Sequence, residues 1–444
     1  MKIQLPDKVS YIINVLGEHG YDAYAVGGCI RDSLLGREPD DWDITTSARP
    51  EQVKAFFRKT IDTGIEHGTV TVMLDSVGYE VTTYRIDGEY EDNRHPREVS
   101  FTDNLVEDLK RRDFTINAMA YNDTRGLVDV FDGQGDLARK QIRCVGVARE
   151  RFEEDALRVL RGIRFAAQLG FEIEQETQTA MSMLAPNLAA ISAERIQVEL
   201  VKLLVSPNPQ MLGRAWELGI TRMILPEFDR MMEVEQNNPH HIYSVGEHTL
   251  HALTQIRADK TLRLAVLLHD VGKPDTETVD ADGISHFYNH AGQSAKMASQ
   301  ILRRLRFDND TRNRVKRLVL WHDYRFTCTC NAMRRAIYKI GEDIFEELLL
   351  VMRADVLAQS SYMQKEKLEE LERIHSLYLE ILEKKDCLSL KQLAVGGNDL
   401  MAAGVPKGRE IGRILELLLQ EVLEKPELNK KELLLDRVHE LLEK

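Results

Sequence analysis

The sequence predicts an α+β fold, with a small N-terminal mixed sheet followed by an elongated all-α body. Three observations carry this. Short runs rich in Val, Thr, Ile and Tyr, bounded by Gly, Asp or Pro, are confined to the first part of the chain. From about residue 145 onward, apolar residues instead recur at spacings of three and four. At 444 residues, the chain is about three typical domain lengths, so several cores are expected. The strand signals are YAV at 24–26, WDITT at 42–46, GTVTVML at 68–74 and EVTTYR at 80–85. The helical signals include EEDALRVLRGIRFAAQLG, ERIQVELVKLLV, TLRLAVLLHDVG, IFEELLLVMRADVLAQ and REIGRILELLLQEVLEK, so everything beyond the head is expected to be helical. The expected divisions are a head at 1–140, a helical neck and body at 141–235, a further helical domain at 240–365 and a helical tail at 366–444.

With 43% hydrophobic and 30% charged residues, disordered, collagenous and fibrous classes are excluded. Cys29, Cys144, Cys328, Cys330 and Cys387 form no CxxC pair, which argues against a disulfide framework or zinc ribbon and fits a reducing compartment. The N-terminus lacks a secretory pattern, and no run reaches the roughly 18 apolar residues needed to span a bilayer, so a cytoplasmic location without membrane partners is expected. The net charge of −13 argues on average against a polyanionic partner. Local clusters such as Arg303, Arg304, Arg306 and Lys316, Arg317 leave room for one.

The run YAVGGCIRDSLLG reads as a strand, a tight turn at Gly27 and Gly28, and a helix with Arg31 in its first turn. Backbone N–H groups there, with a guanidinium beside them, suit phosphate; a plain turn is the alternative. Downstream, Asp41 and Asp43 lie two apart on an expected strand, so both carboxylates leave one face and can share Mg²⁺. A solvated acidic turn is the competing reading. Glu80 opens EVTTYR, whose alternation puts Glu80, Thr82 and Tyr84 on one side. Three carboxylates beside a phosphate turn suit two-metal phosphoryl transfer.

GGxxRD at 27–32, DxD at 41–43, HGT at 67–69, RRDFTIN at 111–117 and EDALR at 154–158 together resemble the class II tRNA nucleotidyltransferases, the CCA-adding enzymes, and their bacterial poly(A) polymerase relatives. ERIQVELVKLL at 194–204 and the tail VGGNDLMAAGVPKGREIG extend the resemblance over most of the chain. It implies a polymerase-beta-like nucleotidyltransferase sheet followed by helical regions that hold a tRNA acceptor end, with CTP and ATP as the nucleotides. Asp41 and Asp43 would be the Mg²⁺ carboxylates, with Glu80 the third catalytic one. Gly28 and Arg31 would take phosphate. Arg112, Asp113 and Asn117 would read the ribose, Asp113 and Asn117 lying four apart in an expected helix; a surface ion pair is the alternative for Arg111 or Arg112.

In EEDALR, Asp155 and Arg158 are three apart, and the default is an intrahelical ion pair. The chemical reading differs. Cytosine and adenine each present an exocyclic amine beside a ring-nitrogen acceptor, whereas uracil and guanine present a carbonyl beside an N–H. A fixed carboxylate next to a guanidinium therefore matches C and A and leaves unmatched polar groups against U or G, the situation that yields large discrimination. The resemblance implies this amino-acid template, with Glu154 orienting the pair and Arg161 among the nucleotide-binding residues. The polar segment IDGEYEDNRHPREVS at 86–100 reads as a surface loop. In the family, a flexible loop there accompanies addition of the final A, so full CCA addition is expected over the poly(A) alternative.

Residues 248–355 contain HTLH, LLHDVGK, FYNHAGQSA, LWHDYRF and MRADVLAQ. His269 and Asp270 sit in an apolar helical run, where burial without a cation would be costly. His248, His269, Asp270 and Asp355 resemble the H…HD…D ligand order of the HD phosphohydrolase superfamily, with His290 and His322 where two-metal members have extra ligands. This implies a divalent transition metal of undetermined identity and hydrolysis of cyclic or terminal phosphates. Lys273 is expected either to meet phosphate or to act as a helix-end cation; His240, His241 and His251 are expected to be ordinary surface or core residues. An alternative function is an HD phosphohydrolase carrying a non-catalytic RNA-binding head.

Overall fold

A computed structural model describes residues 2–87, 99–237, 240 and 242–443. The chain divides into two compact units, one ending at Pro226 and one beginning at Glu227.

The first unit opens with helix α1 (Asp7–Glu18), whose buried Val9, Ile12, Ile13 and Leu16 recur at helical spacing. Strand β1 (Ala23–Val26) runs into helix α2 (Gly28–Leu34). Then follow β2 (Ile44–Thr46), α3 (Pro50–Phe56), β3 (Thr60–Gly64), β4 (Thr69–Leu74) and β5 (Val77–Thr83). The short ribbon β6 (Arg85–Asp87) and β7 (Val99–Phe101) pairs antiparallel. Helix α4 (Leu105–Lys110), strands β8 (Ala120–Asn122) and β9 (Gly126–Val128), and helix α5 (Gly133–Arg139) complete the head.

Seven of these strands form one mixed sheet in the order β3-β4-β5-β2-β1-β8-β9. The β2–β5 pair is parallel, with Ile44 opposite Val81, and this contact sets the site because it aligns the residues entering both strands. Tyr24, Val26, Tyr84, Leu109, Ala118, Ala120 and Val145 form the buried cluster beneath. Tyr84 was expected beside Glu80 and Thr82, but β5 stops at Thr83 and Tyr84 turns into that core, where its ring loses more water than any exposed position would allow. Behind the sheet come α6 (Ala148–Glu154), α7 (Leu157–Leu169), α8 (Gln175–Leu184) and α9 (Ala193–Leu204). Helix α7 packs on α9 through one apolar face.

The second unit is built on helices Val245–Thr254, Lys260–Leu268, His290–Arg304, Asn309–Trp321, Cys330–Ile340, Glu342–Ala358 and Gln364–Glu383, followed by Gly397–Ala402, Arg409–Glu424 and Lys431–Leu442. It is not wholly helical. A hairpin joins Glu277–Val279 to Ser285–Phe287, and in the first unit Gln141–Ile142 pairs with Glu172–Ile173. Strands of two or three residues are too short to show alternation, and the turn around Asp282 and Gly283 was the only local signal. Of the basic clusters, Arg304 is held by Glu227 and Arg317 by Asp343. No helix among the described residues is long and apolar enough to cross a membrane.

Candidate active site and candidate metal centre

The head site starts where β1 meets α2. Gly27 has φ +85°, a left-handed conformation that side-chain-bearing residues rarely adopt, and a Cβ there would lie 2.9 Å from Nη1 of Arg112. The bare turn thus lets Arg112 cross over it. With only seven residues in α2, the positive character of this corner comes from guanidinium groups. Arg31 donates through Nη1 to Asn117 Oδ1 at 2.7 Å and braces on Asp32 through Nε. Gly28 sits beneath the Arg31 guanidinium.

Asp41 and Asp43 precede β2 in a lead-in without regular secondary structure; the strand itself begins only at Ile44. They were expected on the strand and lie just before it, with Asp41 close enough to bear electrostatically on Asp43 and Glu80. Register places Glu80 beside this lead-in, since Ile44 pairs with Val81. All three carboxylates are exposed. The protein around Asp43 nevertheless raises its pKa, opposed by Arg112 and reinforced by the negative charge of Asp41. Glu80 is raised by desolvation and then by Asp43 and Asp41. Asp43 and Glu80, each raised in part by neighbouring negative charge that includes Asp41, make an all-oxygen corner that fits a divalent cation.

The RRDFTIN segment does not form the expected helix. Asp113 lies in a turn and only Thr115–Asn117 makes a 3₁₀ turn, because the backbone bends to bond Thr115 N–H to Arg143 O and Val145 N–H to Asp113 O. The residues still converge: Asn117 Nδ2 is 3.4 Å from Asp113 Oδ1, and Arg161 donates to Asp113 Oδ2 through Nε at 2.7 Å. Burial alone would raise the Asp113 pKa; the Arg161 charge and hydrogen bond overcome it and bring it to about 2. Arg31, Asn117, Asp113 and Arg161 therefore form one continuous polar chain.

The EDALR stretch departs most from expectation. Asp155 has φ −141° and ψ 102°, so α6 ends at Glu154 and α7 begins at Leu157. At the break Asp155 caps the new helix, its Oδ1 accepting from Leu157 N–H at 3.1 Å and its carbonyl accepting from Arg158 N–H at 3.0 Å. Both Asp155 oxygens accept from Arg195 of α9, at 3.2 and 2.7 Å. Arg158 is held by Glu154 Oε2 at 2.6 Å and by the carbonyls of Arg151 at 3.1 Å and Arg111 at 3.0 Å. Arg151 also pairs with Glu154. Arg195 was missed by sequence reasoning, although it lies within ERIQVELVKLL. The segment expected to aid addition of the final A lies largely outside the described residues; only its stems, β6 and β7, are described.

The second constellation is buried in the second unit. His248 lies on Val245–Thr254, His269 caps Lys260–Leu268 with Asp270 in the following turn, His290 opens His290–Arg304, His322 ends Asn309–Trp321, and Asp355 lies on Glu342–Ala358. Each histidine donates from Nδ1 to a main-chain carbonyl: His248 to Ala358 at 3.3 Å, His269 to Val266 at 2.7 Å, His290 to Phe287 at 2.9 Å and His322 to Val319 at 2.7 Å. This holds each ring through Nδ1 and leaves Nε2 as the atom that meets the rest of the cluster.

Those Nε2 atoms converge. His269 is 3.1 Å from Asp270 Oδ2, His290 and His322 are 3.5 and 3.6 Å from its Oδ1, and His248 is 2.9 Å from Asp355 Oδ1. Two metal-sized groups result, His248–His269–Asp270 and Asp270–His290–His322. Burial lowers the His290 pKa against the pull of Asp270, which favours the neutral ring that a ligand requires. Lys273 is buried, with Nζ 2.7 Å from both Asp270 Oδ2 and Gln236 Oε1, a fixed counter-charge at the edge of the cluster. A cavity of about 920 Å³ opens beside the cluster, lined also by Tyr288, Tyr324, Phe326 and Lys367. His240, expected to be ordinary, faces this cavity and lies 3.2 Å from Lys367 Nζ; His251 stacks on Tyr243, and His241 lies outside the described residues.

Sheet, carboxylates and helical neck together define a nucleotidyltransferase. Residues 23–143 match the poly A polymerase head domain, 170–232 a probable RNA and SrmB-binding site of polymerase A, and 278–438 a putative tRNA nucleotidyltransferase domain 2. The CCA-adding enzyme of Levilactobacillus brevis is 35% identical over 93% of this chain and 92% of its own; that of Enterococcus faecalis is 51% identical over 45% of this chain and 49% of its own. The Bacillus stearothermophilus CCA-adding enzyme, solved in complex with CTP, superposes with a TM-score of 0.71 at 30% identity, covering 98% of this chain and 96% of that one. The chain belongs to the CCA-adding enzyme family.

Proposed function

We propose that this chain builds or repairs the CCA end of tRNA from CTP and ATP without a nucleic-acid template, and that its second unit removes phosphate from RNA ends. The observation that carries the first reading is the broken helix, which holds Asp155 on Arg195 and Arg158 on Glu154 and so gives each a fixed position. Asp41 and Asp43, with Glu80 alongside, would hold Mg²⁺, which when bound supplies charge neutralisation for a triphosphate. Arg31 and Arg112 lie over the glycine turn, where phosphate oxygens would sit. Asp113 and Asn117 present hydrogen-bonding groups for a ribose 2′-OH. Asp155 accepts the exocyclic amine of C or A, and Arg158 donates to the adjacent ring nitrogen. Incubation of a tRNA lacking CCA with CTP and ATP, separately and together, tests this: the expected products are CC with CTP alone and CCA with both. A long A tail, or equal incorporation by Asp41→Ala, rejects it.

The second reading rests on the four oriented Nε2 atoms around Asp270. Imidazoles with the carboxylates of Asp270 and Asp355 suit a transition metal, and such a site would hydrolyse a 2′,3′-cyclic phosphate, water adding to phosphorus as the P–O3′ bond breaks, which frees the 3′-OH that nucleotide addition needs and leaves a 2′-phosphate. Hydrolysis of a nucleoside 2′,3′-cyclic phosphate should require added Mn²⁺, Co²⁺ or Ni²⁺ and vanish in Asp270→Ala while CMP addition persists. Loss of both activities would make these helices a scaffold.

A further inference from the structure

We propose that Asp108 is a positioning residue for base selection, tying the metal-binding strand to the selector arginine. It rests on the reading of Asp155 and Arg158 as the base selector. Asp108 lies on α4 and is fully buried, yet no step of the chemistry uses it. Its carboxylate reaches three segments at once. Oδ2 accepts from Thr45 Oγ1 at 3.0 Å, on the strand that Asp43 leads into. Oδ1 accepts from Arg85 N–H at 3.4 Å, where β6 departs. Oδ1 also accepts from Arg111 Nε at 2.9 Å, with Arg111 Nη2 at 2.8 Å.

Two levers run from this point. Arg111 is gripped through its side chain by Asp108, while its own carbonyl receives Arg158 Nη2 at 3.0 Å. The donor that faces the base is thus anchored, through one residue, to the buried carboxylate. Arg112 Nη2 lies 3.8 Å from Asp108 Oδ2, and its Nη1 crosses the Gly27 turn. Joining α4 to the sheet needs no charge, since apolar groups commonly replace a buried ion pair without loss of stability. What a carboxylate adds is direction: several donors fixed at set angles in a low-dielectric interior.

The test compares kcat/KM for CTP and UTP on a tRNA lacking CCA, in wild type, Asp108→Asn, Arg111→Met and Arg158→Ala, with folding followed by circular dichroism. Asp108→Asn and Arg111→Met are expected to reduce the CTP:UTP ratio about tenfold, the scale of one charge-assisted hydrogen bond lost. A merely structural role would lower both nucleotides by one factor; an equal fall, or no change, overturns the proposal. If Asp108→Asn does not fold, Arg111→Met decides, because it cuts only the lever to Arg158. If Arg158→Ala leaves the ratio unchanged, the selector reading itself fails; if Arg158→Ala collapses the ratio while both other variants keep it, only the role of Asp108 does.

Discussion

The two carboxylate sites of this chain solve opposite problems. In the head, Asp41, Asp43 and Glu80 are exposed, crowd one another and have no imidazole among them. In the second unit, Asp270 is buried among His269, His290 and His322, whose Nδ1 atoms are locked on carbonyls. An exposed all-oxygen site suits a hard cation that arrives and leaves with a triphosphate. A buried, histidine-walled one suits a resident ion that assembles with the fold. Exposure, more than ligand identity, separates a travelling metal from a permanent one.

The strongest way to break this contrast is Asp43→Ala. It should cut nucleotide incorporation by about a thousandfold or more while leaving cyclic phosphate hydrolysis intact; radiolabelled CTP incorporation measures the first and chromatography of the ring-opened nucleoside monophosphate the second. Next comes metal content. Because both metal groups share Asp270, Asp270→Ala should strip bound transition metal from the purified protein, whereas His322→Ala should keep one group and part of the metal, as read by elemental analysis.

A smaller effect sharpens the head. Asp113 is held at about 2 by Arg161 against an ordinary value of 3.8. With a depressed folded pKa, its contribution is present above about pH 4 and disappears as pH falls toward 2, a span worth about 2 kcal/mol. Denaturant unfolding of wild type and Asp113→Asn should therefore differ by that amount at neutral pH and converge in acid. Last, Arg195→Met should free Asp155 and relax CTP over UTP selection about tenfold, read from single-nucleotide kinetics, with the second unit's metal unaltered.

The glycine turn with Arg31, the DxD pair and the head-then-helices order all follow from local spacing. The HD histidines were found at long range only because their residue types are so rarely buried without purpose. What escaped was direction. The spacing of Asp155 and Arg158 says that they share a helical face, but the helix breaks there, with the Asp155 carboxylate shared between Leu157 N–H and Arg195, forty residues on. Asp113 and Asn117 meet across a 3₁₀ turn set by hydrogen bonds to Arg143 and Val145, which no period reveals. Asp108 looked like any acidic helix residue, and its burial comes from Thr45 and Arg85. The Nδ1 bonds go to main-chain carbonyls, groups that every residue has, so no pattern of side chains could announce them.

The interruption at Asp155 has a further meaning for how such a chain can change. Were Ala148 to Leu169 one unbroken rod, the acid and the base would stand a turn apart and quench each other, and the local backbone would be more comfortable. The kink gives each a tether of its own, Asp155 on Arg195 and Arg158 on Glu154. Substitutions that mend the rod should therefore make a sturdier and more careless protein, and drift toward robustness is held in check at this one joint.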